Sequence, residues 1–203
     1  MSGWQSASIE HVAFAGSEYY CVLYPDMVNS TETAICITDS FKLRLFYATF
    51  INSLYDIARR FDSRVIKIGG DSVICYFPET IDRSNRQCFR KVVECGLEMI
   101  ADRTKINSKL HEKGLPAISY RISADYGKHE VMKAPNSDVQ DMIGTTMNIC
   151  YKINAKVQPN GMRIGGDLYE IVKSCCSDLC FENVGEFFAG LKYAYPVYSV
   201  SRK

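Results

Sequence analysis

Arg64-Val-Ile-Lys67-Ile-Gly-Gly-Asp71-Ser-Val-Ile-Cys-Tyr-Phe77 is the stretch on which the reading of this chain turns. Two runs rich in β-branched and aromatic residues flank a Gly-Gly pair. Glycine supplies the positive φ of a tight turn, so the pattern predicts a β-hairpin. With Gly69-Gly70 as a two-residue turn, Ile68 opposes Asp71 and Lys67 opposes Ser72. Facing residues share a sheet face and successive residues alternate, so Lys67 and Asp71 are expected on opposite faces. A hairpin needs neither a Lys before its turn nor an Asp after it. Taken alone, the two charges also read as solvated turn residues. The question is whether a second acid elsewhere shares a cation with Asp71.

Outward from the hairpin, Tyr19 to Tyr24 predicts a buried strand, ended by Pro25-Asp26 and followed by a polar loop to Glu32. Asp39 or Ser40 N-caps a helix. Its apolar positions Leu43, Phe46, Tyr47, Phe50, Leu54, Ile57 and Phe61 recur every three or four residues. Arg59 and Arg60 suit its last turn. After the hairpin, a second helix is expected from Ser84 to Lys113, closed by Gly114 and Pro116. Ala117 to Ala124 reads as a strand, and Gly127 to Val131 as a reversal. Met147 to Val157 reads as a helix stopped by Pro159-Asn-Gly161. A short strand (Met162 to Ile164), a helix (Asp167 to Ser174) and strand character from Phe181 to Val200 complete the chain. The order strand, helix, hairpin, helix, strand predicts an α+β fold: a ferredoxin-like βαββαβ core with a C-terminal αβ extension. Residues 1–18 are expected to form a short leading segment and residues 19–203 the domain.

The chain's 203 residues suffice for one domain with its own core. Hydrophobic content of 47% and charged content of 23% are those of a soluble globular protein. With 24 basic and 23 acidic residues, the net charge of +1 provides no long-range field to capture nucleic acid or an anionic membrane. No apolar run approaches the ~18 residues of a membrane span. The N-terminal Met1-Ser-Gly-Trp-Gln-Ser-Ala-Ser lacks the basic and apolar regions of a signal peptide. Nine scattered cysteines suit the reducing cytoplasm better than a disulfide framework. Cys175, Cys176 and Cys180 have no nearby His and no metal-ligand spacing, and read as buried thiols on a helix.

Asp26 ends the first strand and Asp71 opens the second half of the hairpin, and the helix between them lets these strands lie side by side. Two such carboxylates repel unless a cation sits between them, and a divalent ion is the usual solution. The loop bearing Asn29, Ser30 and Thr31 feeds towards a helix, where backbone N–H groups can cradle phosphates. Two acids beside such a loop suggest a two-metal site for phosphoryl transfer. The alternative is a pair of turn acids that never meet.

At these residues the chain resembles the class III nucleotidyl cyclases, from about Tyr19 to Tyr198. Val22-Leu-Tyr-Pro-Asp26-Met27-Val-Asn-Ser-Thr-Glu resembles the first metal motif. Lys67-Ile-Gly-Gly-Asp71 followed by Phe77 is similar to K-x-x-G-D-x-x-x-x-x-F. Arg121-Ile-Ser-Ala-Asp-Tyr-Gly127 resembles the strand R-I-G-I-H-x-G. Asp141-Met-Ile-Gly144-Thr-Thr-Met-Asn148-Ile-Cys-Tyr-Lys152 resembles D-x-x-G-x-x-V-N-x-x-x-R. Gly190-Leu-Lys192 followed by Pro196 resembles the terminal L-K-G-x-x-x-P. Each piece alone is weak, and their shared order and spacing make the signal specific.

The resemblance implies roles. Asp26 and Asp71 would hold two Mg²⁺ or Mn²⁺ ions, helped by the backbone carbonyl of Met27. Those ions would favour ionisation of the ribose 3′-hydroxyl and bind the triphosphate. Lys67 and Asp141 would read adenine, Lys67 donating to N1 and Asp141 accepting from the N6 amino group. Asn148 and Lys152, four apart on the predicted helix, share one face. Asn148 would orient the ribose and Lys152 would meet the triphosphate in the transition state. The family usually has Arg where Lys152 stands, and Lys keeps the charge but loses the planar fork. Lys192 resembles the lysine that binds terminal phosphates, although Tyr193 replaces the usual Gly. The implied sites are shared across a homodimer, metal acids from one chain and base-reading and helix residues from the other. This chain carries both sets, and the loop from Met132 to Gln140 would embrace the partner. The expectation is a cytoplasmic adenylate cyclase acting on ATP. Two rivals stay open: a cyclase-like module that binds nucleotide without turnover, and a diguanylate cyclase. The signature of the latter continues with a second acid and Phe, where this chain has Ser72 and Val73.

Overall fold

The hairpin lies at one edge of a nine-stranded sheet. The structure, a computed structural model, describes residues 8–9, 12–133, 140–187 and 194–203. In chain order these residues form β1 (Ser8–Ile9), β2 (Val12–Met27), α1 (Ser30–Ile35), α2 (Ser40–Arg60), β3 (Arg64–Ile68), β4 (Val73–Phe77), α3 (Arg86–Ala101), α4 (Arg103–His111), β5 (Tyr120–Lys133), β6 (Gln140–Ile143), α5 (Thr145–Asn154), β7 (Met162–Gly165), α6 (Gly166–Val172), β8 (Leu179–Phe187) and β9 (Tyr195–Arg202). A short 3₁₀ turn, Pro78–Ile81, follows β4. The sheet order is β3-β4-β2-β5-β7-β9-β8, with β1 paired to β2 and β6 to β5. Within it, β2-α2-β3-β4-α3-β5 is the ferredoxin-like core: its strands lie in the order β3-β4-β2-β5 and every neighbouring pair is antiparallel. The extension joins through β7, which runs parallel to β5.

Strand alternation divides the packing. Cys21 and Leu23 enter a large core with Phe46, Phe50 and Leu54 of α2 and Phe89, Val92 and Val93 of α3. Val22, between them, enters a second cluster with Ile74, Val131, Met142, Met147 and Cys150. Helices α2 and α3 therefore pack on one face, and α5 with β6 on the other. The Asp39 carboxylate caps α2, accepting from the backbone N–H of Phe41 and Lys42 at 2.7 and 2.9 Å. Such a cap satisfies backbone N–H groups that the first turn leaves without an intrahelical partner.

Several boundaries differ from the sequence reading. β2 begins at Val12, so residues 12–18 belong to the sheet, and α1 forms where a loop was expected. The expected helix from Ser84 to Lys113 is two helices that meet at Asp102. Their buried residues Met99, Ile106 and Leu110 stay in helical phase across the break, so periodicity alone does not reveal it. Gly127 to Val131 is not a reversal but the middle of β5. Gly127 serves packing instead: a Cβ there would lie 2.2 Å from the Thr146 hydroxyl oxygen of α5. The cysteine cluster is not helical, since Cys175 and Cys176 follow α6 and Cys180 lies exposed on β8. Among the described residues, no helix is long and apolar enough to cross a membrane.

The hairpin itself is wider than a two-residue turn. Lys67 faces Ile74 and Ile68 faces Val73, after a register shift between Val65 and Lys67. Gly69 to Ser72 thus form a four-residue loop, closed by a 2.9 Å bond from the Gly69 N–H to the Ser72 carbonyl. Gly70 takes φ +82°, a conformation L side chains rarely adopt. The loop is drawn to the end of β2, because the Met27 N–H donates to the Asp71 carbonyl at 3.0 Å and Asp26 bridges to Ser72. That attachment takes Asp71 out of β4 and sets it beside Asp26.

Candidate active site

Asp26 is the penultimate residue of β2, facing Arg121 of β5. Arg121 Nη2 donates to Asp26 Oδ2 at 3.1 Å, and the Tyr24 hydroxyl donates to Asp26 Oδ1 at 3.0 Å. Burial raises the Asp26 carboxyl above its usual range. The bonds from Tyr24 and Arg121 pull it back, and the charge of Asp71 pushes with burial. Asp71 Oδ2 accepts from the Ser30 hydroxyl at 2.5 Å. Ser30 opens α1 behind Asn29, which takes φ 53°, and Thr31 stands in the first turn of that helix. Met27 is buried at the strand end. The structure thus brings Asp26, Asp71 and Ser30 together, with Asn29, Thr31 and Met27 around them.

Lys67 and Asp141 form a second grouping. β6 runs antiparallel to β5 and comes beside β3, which sets Lys67 Nζ 3.6 Å from Asp141 Oδ2. Asn148 and Lys152 lie on the exposed face of α5, as their spacing predicts. Lys67 and Asp71 therefore engage different partners, although the hairpin register is not the expected one. Lys192 and most of the loop after Met132 fall outside the described residues.

Four neighbours of these groups escaped the sequence reading. Tyr24 and Arg121 hold Asp26. Tyr151 of α5 stands edge-on to Tyr24, ring centres 4.7 Å apart, and its hydroxyl is raised by burial and then by the charge of Asp141. Asn154 Nδ2 donates to the Tyr24 carbonyl at 2.8 Å and to the Arg121 carbonyl at 3.3 Å, fastening the end of α5 to β2 and β5. The spacing of Tyr24 and Asp26, two apart on one strand face, was the one local signal available.

The donor set suits a hard divalent ion. Asp26 and Asp71 are two carboxylates that feel each other's charge, with hydroxyl and backbone oxygens nearby. Among the described residues, no three His, Cys, Asp or Glu side chains gather to hold a metal by themselves. Two carboxylates completed by water and substrate phosphates is the usual Mg²⁺ arrangement.

No family model matches the chain. A cytidylate cyclase of Staphylococcus aureus is 22% identical over 156 residues, 74% of this chain, and the chain spans 37% of the length of that protein. Among solved structures, the guanylyl cyclase Cya2 superposes with TM-score 0.82 at 16% identity, covering 92% of this chain and 93% of the other. The adenylyl cyclase CyaB from P. aeruginosa superposes with TM-score 0.82 at 16% identity, covering 93% of this chain and 96% of the other. The match extends over nearly the whole of each chain, core and extension together. The chain has the fold of the class III nucleotidyl cyclase catalytic domain.

Proposed function

We propose that the chain is a nucleotidyl cyclase that converts ATP to 3′,5′-cyclic AMP and pyrophosphate in the cytoplasm, as a homodimer with shared active sites. One observation carries the reading: Asp26 and Asp71 meet at one strand end while Lys67 pairs with Asp141 elsewhere on the same chain. The first grouping suits a triphosphate with its cations and the second suits a base. Exposed Ile68 and Ile143 flank the Lys67–Asp141 pair, and such apolar surface suits cover by a second copy.

Asp26 and Asp71, with the Met27 carbonyl, would hold two Mg²⁺ or Mn²⁺ ions. Bound divalent ions supply positive charge that favours ionisation of a ribose hydroxyl and neutralises phosphate oxygens. Asn29, Ser30 and Thr31 line the triphosphate, and Lys192 takes its far end. Lys67 donates to adenine N1 and Asp141 accepts from the N6 amino group. Asn148 orients the ribose so that its 3′-oxygen lies in line with the α-phosphorus. The 3′-oxygen–phosphorus bond forms, the bond to the β-phosphate oxygen breaks, and the hydroxyl proton is released. Lys152 meets the charge that develops on the phosphate oxygens. No covalent bond to the protein is needed, and positioning with charge stabilisation does the catalysis.

The similar proteins are named for three different bases, so the base is the finer part of this reading. Lys152 in place of the expected Arg favours a second reading, a module that binds nucleotide without turnover. Product analysis separates the two. With Mn²⁺ and ATP the chain is expected to release cyclic AMP and pyrophosphate in equal amounts, and Asp71→Asn to lower the rate at least ~100-fold. Bound but uncyclised ATP in the unmodified protein would establish the second reading.

A further inference from the structure

A bulge in β2 opens a hollow that the proposed nucleotide residues do not use. The β2–β5 register shifts between Phe14 and Gly16, so Ala15 is an extra residue in its strand. Gly16 takes φ +138°, which favours glycine. Two of the smallest side chains thus stand where the strand bends, and beside them lies a cavity of about 220 Å³. Its lining continues with Glu18 and Tyr20 of β2, Tyr76 of β4, Val131 of β5 and Met142 of β6. Glu18 is eight residues before Asp26 on β2, about 26 Å at the usual rise of a strand.

The lining fits a cation with an apolar body. Among the described residues that line the cavity, Glu18 alone is charged. Its carboxylate is exposed and forms no ion pair with any described residue. Facing it across β2–β5 is His129, which is buried. Burial lowers the His129 pKa to about 4, against the pull of the Tyr20 carbonyl, and a neutral imidazole leaves the charge of Glu18 unmatched. The Tyr20 hydroxyl is raised first by burial and next by Glu18, with Tyr76 adding less and Arg64 of β3 opposing least. The field there is therefore negative. Tyr20 and Tyr76 meet edge to face, ring centres 5.3 Å apart. An aromatic face attracts a cation, and Val131 and Met142 add apolar surface. A cavity of ~150 Å³ holds benzene, so this one takes a single ring with a short side chain.

We propose that this cavity binds a small organic amine, a primary ammonium carried on one apolar ring. The ammonium pairs with Glu18, and the ring packs against Tyr20, Tyr76 and Met142. Glu18 repels an anion, and a neutral molecule of the same shape gains only the packing. The proposal stands apart from the cyclase reading, since it uses none of the residues assigned to metal or nucleotide.

Titration calorimetry of the nucleotide-free protein tests it with three probes of similar shape: phenethylamine, 2-phenylethanol and phenylacetate. Phenethylamine is expected to bind at least ~tenfold more tightly than 2-phenylethanol, and phenylacetate more weakly than either. Glu18→Gln, a change at an exposed position, should lower phenethylamine affinity at least ~tenfold and leave 2-phenylethanol unchanged. Phenethylamine that does not bind, binds no better than 2-phenylethanol, or binds Glu18→Gln equally well overturns the proposal. None of these results bears on the cyclase reading. Conversely, a chain that binds the amine and cyclises no nucleotide defeats that reading alone.

Discussion

Asp26 is held from both sides, Tyr24 on one oxygen and Arg121 on the other. Groups that bond to a ligating carboxylate fix its orientation, and their loss commonly costs ten- to a hundredfold in metal affinity. Tyr24→Phe keeps the ring packed against Tyr151 and removes only the hydroxyl. It is predicted to weaken Mn²⁺ binding to the nucleotide-free protein by roughly tenfold, measured by titration calorimetry. Unchanged affinity would relegate Tyr24 to packing. At this scale Asp26, Asp71 and Ser30, which the structure brings together, could be named as candidates from residue type and spacing alone. Arg121 stands inside one of the quoted motifs, yet nothing local joins it to Asp26, 95 positions away in the chain. That contact follows from the β2–β5 register, which the whole sheet sets.

Between elements, Asp125 of β5 is the most consequential tie. Its carboxylate is fully buried and accepts from the Tyr195 hydroxyl at 2.7 Å and the backbone N–H groups of Tyr126 and Leu168 at 2.9 and 3.3 Å. Tyr195 Oη in turn accepts from the Asp167 N–H at 3.0 Å. One acid thus joins β5, β9 and the start of α6. A Cβ at Gly165 would lie 2.2 Å from an Asp125 oxygen, so the glycine makes room for it. Burial pushes the Asp125 carboxyl up to about 7, against the hydrogen bonds that pull it down. The folded protein therefore holds this proton where the unfolded chain has lost it. Stability is predicted to fall as pH rises from about 4 to about 7, then to level off, by about 4 kcal/mol in all. Asp125→Asn should flatten that profile in urea unfolding across the same range. An equally steep profile in the variant would show that another group titrates.

Element identity was mostly legible, for physical reasons that also explain the misses. The apolar period of α2 and its Asp39 cap are local signals, and they were read correctly. The hairpin was read as a hairpin, but its loop length depends on bonds from Met27 to Asp71, which join residues far apart in sequence. Gly127 looked like a turn because glycine favours turns, whereas its place is set by Thr146 pressing from the far helix. The division of α3 from α4 left the apolar phase unbroken.

At the scale of the whole molecule, the site on the proposed reading divides into two halves on one chain, both on the face of the sheet that carries α5. Asp26 and Asp71 lie at the end of β2, while Lys67 pairs with Asp141, and Asn148 and Lys152 stand on the exposed face of α5. Two-fold pairing of identical chains lets each half meet its complement on the partner, giving two complete sites. The most direct test mixes Asp26→Ala and Lys152→Ala variants, each inactive alone, under conditions where subunits are shown to exchange. Half of the dimers are then mixed, and each mixed dimer has one intact site. The account predicts recovery of about one quarter of the unmodified activity. Full exchange with no recovery above either variant would contradict it.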